Sequence, residues 1–106
     1  MRFKRVITKQ KEIDNIVMHR LRARNWFAVK VKECNPLTII GMKNGTGIAI
    51  STFYNDGHKI DMKKIAKKYN HLEERVRNTD LIPIVIYNVK NGFKIYKKND
   101  DFRLEL

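Results

Sequence analysis

The segment LIPIVIYNV, residues 81–89, constrains this chain most. Its nearly continuous β-branched run is the pattern of a strand buried on both faces, so the sheet that holds it must be covered on each side. Pro83 lacks a ladder donor and is tolerable only near the start of that strand. A length of 106 residues allows one domain with one modest core and excludes a separate cofactor module.

The rest of the chain supplies the covering helices and further strands. Residues 9–24 place Ile13, Ile16, Val17 and Leu21 at helical spacing, with Thr8 as N-cap. Phe27, Val29 and Val31 then alternate with Ala28, Lys30 and Lys32, which predicts a half-buried strand ended by Glu33-Cys34-Asn35-Pro36. LTIIGM (37–42) and IAISTFY (48–54) form a hairpin across Lys43-Asn44-Gly45-Thr46-Gly47. After a turn at Asn55-Asp56-Gly57, Met62, Ile65, Ala66, Tyr69, Leu72 and Val76 mark a second helix capped by Asp61. Asn91-Gly92 turns residues 81–89 into a short strand, FKIYK (93–97), and NDDFRLEL is a tail with no forced structure. The expected fold class is α/β: a single mixed β-sheet with flanking helices, order αβββαββ, one domain over 1–106.

Charge narrows the function. Lys and Arg total 23 against 11 Asp and Glu, a net +12, which points to a polyanionic partner. Residues 1–24 hold Arg2, Lys4, Arg5, Lys9, Lys11, Arg20, Arg22 and Arg24 against Glu12 and Asp14. Arg20 and Arg24 fall near the apolar stripe of the first helix, where they either snorkel past the core or point at a phosphate. Lys59, Lys63, Lys64, Lys67 and Lys68 form a second concentration with few acids interspersed, unlike a helix supported by Glu–Lys pairs. These thirteen residues are the expected nucleic-acid contacts, and lysine contacts the phosphate backbone without reading bases.

Other chemistries lack their residues. Cys34 is the single cysteine, so no internal disulfide or structural zinc site forms, and it reads as an inert core residue. His19 and His71 sit on predicted helices beside charges and read as solvated. Gly41, Gly45 and Gly47 lie in a hairpin and cradle no phosphate ahead of a helix. With no apolar run of signal-peptide or membrane-span length, the expected location is cytoplasmic.

The order of elements, with KEIDNIVMHRLRARNWFAVKV, NPLTIIGMKNGTGIAISTF, LIPIVIYNV and GFKIYK, resembles the archaeal Holliday junction resolvases and the wider PD-(D/E)XK nuclease fold over residues 9–97. That resemblance implies cleavage of a phosphodiester with magnesium held on carboxylates and a lysine assisting. Matched by position, the metal-binding Asp becomes Leu37, the strand Glu becomes Ser51, the Lys two residues later becomes Phe53, and only Glu12 of the first helix is retained. A leucine ligates no magnesium. The expectation is therefore a protein that is not an enzyme, with no cofactor, magnesium entering only with residual nuclease activity. Glu33, Asp56, His58 and Asp61 are candidates for a rebuilt metal site; as structural residues they read as a strand end, a turn, a loop and a helix cap.

Two function classes follow. In the first, the chain binds branched or duplex DNA through its backbone on a catalytically inactive fold. In the second it is an interaction protein or inhibitor, for example virus-encoded, with Leu37 and Phe53 sealing the core or presenting an apolar patch. The resemblance also implies a homodimer, and Met42, Tyr54, Phe102 and Leu104 are the apolar residues outside the regular pattern that would line it.

Overall fold

The computed structural model describes residues 2–55, 59–90 and 92–106, with side chains from Lys11 onward. Its elements are α1 (Arg2–Ala23), β1 (Phe27–Lys30), β2 (Ile39–Lys43), β3 (Thr46–Phe53), α2 (Met62–Arg75), β4 (Ile82–Val89) and β5 (Gly92–Tyr96). The strands form one five-stranded sheet in the order β1-β2-β3-β4-β5, antiparallel except for the parallel pair β3 and β4. The predicted order αβββαββ and the single mixed sheet are what the structure contains.

Helix α1 starts at Arg2, well before the predicted residue 9, and Thr8 lies inside it as no cap. No Gly or Pro precedes Pro36, so nothing in the sequence stops the helix there. It ends in a Schellman motif: Asn25 adopts φ 69°, its N–H donates to the Arg22 carbonyl, and the Trp26 N–H reaches back to Leu21. That reversal drops Trp26 into the core and starts β1. At the other tight turn Asn44 and Gly45 both take positive φ, 49° and 81°, the two-residue geometry that matches strand twist and sets Lys43 opposite Thr46.

The sheet is covered on both faces, as the apolar run of β4 requires. One face packs Val17, Met18 and Leu21 of α1 against Ala28, Ile39, Ile48, Ile50, Ile84 and Ile86. On the other, Leu72 of α2 and its C-cap Val76 meet Leu37 and Ala49, and Ile65 and Tyr69 meet Val85 and Tyr87. The tail is not free of structure: Leu104 is buried with the α1 core, and Phe102 sets its ring edge-on to Trp26 at 6.2 Å. Leu104 is thus a core residue, and Phe102 is a partly buried one packed against the same cluster.

Strand β1 faces opposite to its predicted sense. Ala28 is the residue buried under α1, while Phe27 is 68% exposed and Val29 and Met42 also reach solvent. The reason is coverage: α2 packs on β3 and β4, so the same face of the edge pair β1 and β2 has no helix above it.

Candidate nucleic-acid interface

Both helices and the parallel strands direct chemistry to one end of the sheet. Helix α2 follows β3 and returns the chain to β4, so its N-terminus lies beside the C-terminal ends of the parallel pair, where ligands bind in open α/β sheets. Asn55 and Asn88 lock these ends together, the Asn55 N–H donating to the Asn88 amide oxygen and the Asn88 amide donating to the Asn55 carbonyl.

A polar cluster occupies the α1 side of this end. The Thr52 hydroxyl, at the end of β3, donates to the carboxylate of Asp14 on α1. Thr38 Oγ1 donates to the Ile50 carbonyl at 3.0 Å and accepts from the Thr52 N–H at 3.2 Å. Lys68 of α2 feels this carboxylate: burial pushes its ammonium pKa down, and the negative charge of Asp14 opposes part of that shift.

Around the edge, on the α2 side, lies a cleft of about 330 Å³ walled by Lys64, Lys67, Lys68 and His71, with Asn35, Pro36 and Phe53 opposite. Pro36 follows a cis peptide bond, and Arg75 donates to the Asn35 carbonyl at 2.9 Å, fixing that loop to α2. The Lys68 ammonium stands 5.4 Å from the centre of the Phe53 ring. His71, expected as a solvated helix residue, is part of this wall. Lys59 and Lys63 are exposed near the same end, and Asp61 caps α2 by accepting from the Lys63 and Lys64 N–H groups.

The basic residues of α1 have other employment. Arg22 donates to the Ala28 carbonyl, and Arg24 donates to the Leu106 carbonyl and lies 3.6 Å from Glu105, so both hold the opposite end of the sheet together. Arg20 takes the snorkelling alternative, its guanidinium 5.0 Å above the Phe93 ring. Lys11 is exposed; Arg2, Lys4, Arg5 and Lys9 have side chains outside the described set. The two basic concentrations expected from the sequence thus differ: on α2 Lys63, Lys64 and Lys67 are exposed, and Lys68 is part-buried over the Phe53 ring.

Of the positions matched to catalytic ligands, Glu12 is separated from the other three. Leu37 is buried with Ala49, Leu72 and Val76, and Ser51 and Phe53 alternate with the α1-facing Ile50 and Thr52, so all three belong to the α2 face. Glu12 is exposed on α1, across the sheet. Among the rebuilt-site candidates, Asp61 is a cap, Glu33 is exposed at φ 55°, and Asp56 and His58 lie outside the described residues. Cys34 is a half-buried thiol packed beside Leu37. The described residues contain no group of three His, Cys, Asp or Glu placed to hold a metal, and Asp14 is the one carboxylate at the polar cluster. A magnesium ion shared among carboxylates does not fit these residues. The sequence reading missed the Asp14–Thr52–Thr38 cluster because hydroxyls in strands carry no motif, although Asp14 on the α1 stripe was a visible signal.

No helix among the described residues is long and apolar enough to cross a membrane. No family model matches the sequence, and no curated protein does. Among solved structures the fold is similar to that of a Holliday junction resolvase from the hyperthermophile Archaeoglobus fulgidus, with a TM-score of 0.68 and 13% identity, over 84% of this chain and 72% of that one. This overturns the expectation of a non-enzyme. That expectation rested on Leu37, Ser51, Phe53 and Glu12 as one blank site, whereas Glu12 lies across the sheet from the other three, and the matched structure is that of a resolvase. The chain has the α/β fold of the archaeal Holliday junction resolvases.

Proposed function

We propose that this protein binds DNA, branched or duplex, through the phosphate backbone on the surface formed by the first turns of α2 and the cleft beside them. One observation carries the reading: the like charges on α2 are neighbours. Lys63 and Lys67, and Lys64 and Lys68, stand four residues apart, and Lys64 and Lys67 stand three apart. Such pairs repel by about 0.2–0.5 kcal/mol each when the residues are charged. The first turn of α2 holds no acid and places Lys63 and Lys64 at the positive end of the helix dipole, which adds to the cost. Among the described residues no ion pair relieves Lys63, Lys64, Lys67 or Lys68. An arrangement that loses stability on its own gains it back on binding a polyanion, and the similarity to a resolvase makes DNA the polyanion of choice. The test is binding of a four-way junction, a duplex and a single strand across a salt series by wild type and by a Lys64→Ala/Lys67→Ala variant. Binding that steepens with phosphate contacts and weakens in the variant supports the reading; equal binding by both refutes it.

A second reading, self-association, has its own observation. Phe27 and Met42 are cross-strand partners, and with Val29 they form an exposed apolar strip across the edge strand β1 and its neighbour β2. A second copy seated there gives a dimer that Phe27→Asp abolishes in sedimentation equilibrium; a monomeric wild type removes this reading.

A further inference from the structure

We propose that the α2 cleft receives an unpaired nucleotide, its base against Phe53 and Pro36 and its phosphate on Lys64 and Lys67. This deepens the proposed DNA-binding reading and rests on it. Backbone binding alone needs only basic residues, yet this shallow, open cleft is lined by an aromatic ring as well as by lysines. Its volume of about 330 Å³ is within the range of small-ligand clefts, roughly 300–1,000 Å³. The two walls differ in chemistry. On one side are Lys64, Lys67, Lys68 and His71; on the other are the Phe53 ring and Pro36, held in place by the Arg75 bond to Asn35. A nucleotide has the same division, a flat apolar base joined to an anion, and a paired base inside a duplex cannot present its face to a protein ring. A base entering the cleft takes the position over Phe53 now held by the Lys68 ammonium. That cation–π contact is worth little at a partly exposed site, and the displaced ammonium turns to the phosphate. Basic residues and exposed aromatic rings recur together where single-stranded segments are bound without base reading, so the inferred preference is for an unpaired nucleotide of any sequence.

The experiment uses the whole chain and three duplexes of one sequence: continuous, with a single unpaired thymidine, and with an abasic residue at that same unpaired position. Wild type is expected to bind the thymidine bulge at least about fivefold tighter than the abasic bulge, the lower bound for stacking one base on an aromatic ring. Phe53→Ala removes that difference between the two bulges, and Phe53→Trp restores it. Equal affinity of wild type for the thymidine and abasic bulges overturns the inference and leaves backbone binding standing, and this comparison needs no variant to fold. Failure to bind any of the three duplexes overturns both.

Discussion

The hydroxyl of Thr52, at the C-terminal end of β3, donates a hydrogen bond to the carboxylate of Asp14 on α1. This bond ties the first helix to the sheet at the end where the parallel strands, the cap of α2 and the lysine cleft meet. It is charge-assisted and half-buried, the circumstance in which a hydrogen bond contributes most and an abandoned partner costs most. Thr52→Val and Asp14→Ala are each expected to destabilise the fold by about 1–2 kcal/mol in urea unfolding. The double variant should lose about 1 kcal/mol less than the sum, because both changes delete the same bond. Strict additivity would mean that the two groups do not interact in solution.

Repulsion on α2 gives a prediction in which stability and binding move in opposite directions. Lys67→Glu removes like-charge contacts with Lys63 and Lys64 and replaces them with attractions. It is expected to stabilise the protein by about 0.5 kcal/mol or more in thermal unfolding and to weaken DNA binding. A variant that loses stability and binding together would point to a folding defect and against a binding surface.

Lys68 makes stability depend on pH with a definite sign. Burial lowers its pKa below 10.5, Asp14 restoring part of the loss. Between the lowered value and 10.5 the unfolded chain holds the proton that the folded chain has released, so the stability contributed by this group rises with pH through that window. Below the window the burial penalty on the ammonium applies in full. Lys68→Met should therefore be more stable than wild type at pH 7, with the advantage shrinking as pH climbs toward 10.5. An advantage that grows with pH would mean that burial does not penalise this ammonium.

Ser51 offers a test on the other face of β3. Its side chain is fully buried, and its hydroxyl has no hydrogen-bond partner among the described residues. An unmade hydrogen bond of this kind costs about 1–3 kcal/mol, so Ser51→Ala should be neutral or stabilising in urea unfolding. A loss of more than about 1 kcal/mol would show that the hydroxyl finds a partner in solution.

Much of the fold was legible because its signals are local. The apolar run of β4, the Asn44-Gly45 hairpin and the Asp61 cap each carry their geometry in a few neighbouring residues. What misled was anything decided by coverage. Phe27 and Val29 alternate like a core face, yet which face of β1 is buried depends on where α1 and α2 lie, and Ala28 is the inward residue. Ile16 follows the helical stripe but is left exposed, while Met18 is buried in its place. The tail reads as mixed with no forced structure, and only the tertiary structure shows Phe102 against Trp26 and Leu104 in the core. The same limit applied at the site. Matching by position put Leu37, Ser51 and Phe53 together with Glu12, whereas strand alternation sends the first three to the α2 face and leaves Thr52 to meet Asp14. Of the basic residues, composition found the lysines of α2 but could not show that Arg22 and Arg24 are spent on backbone carbonyls at the far end.

The most direct test is a salt-titrated affinity measurement with a four-way junction and a duplex, with and without magnesium, the products inspected for cleavage. Log affinity is expected to fall linearly with log salt. When Lys64 and Lys67 are changed to alanine, the slope should become shallower by about 0.9 for each phosphate that is no longer neutralised. A slope near zero, or one that the two substitutions leave unchanged, would rule out α2 and its cleft as the DNA-binding surface.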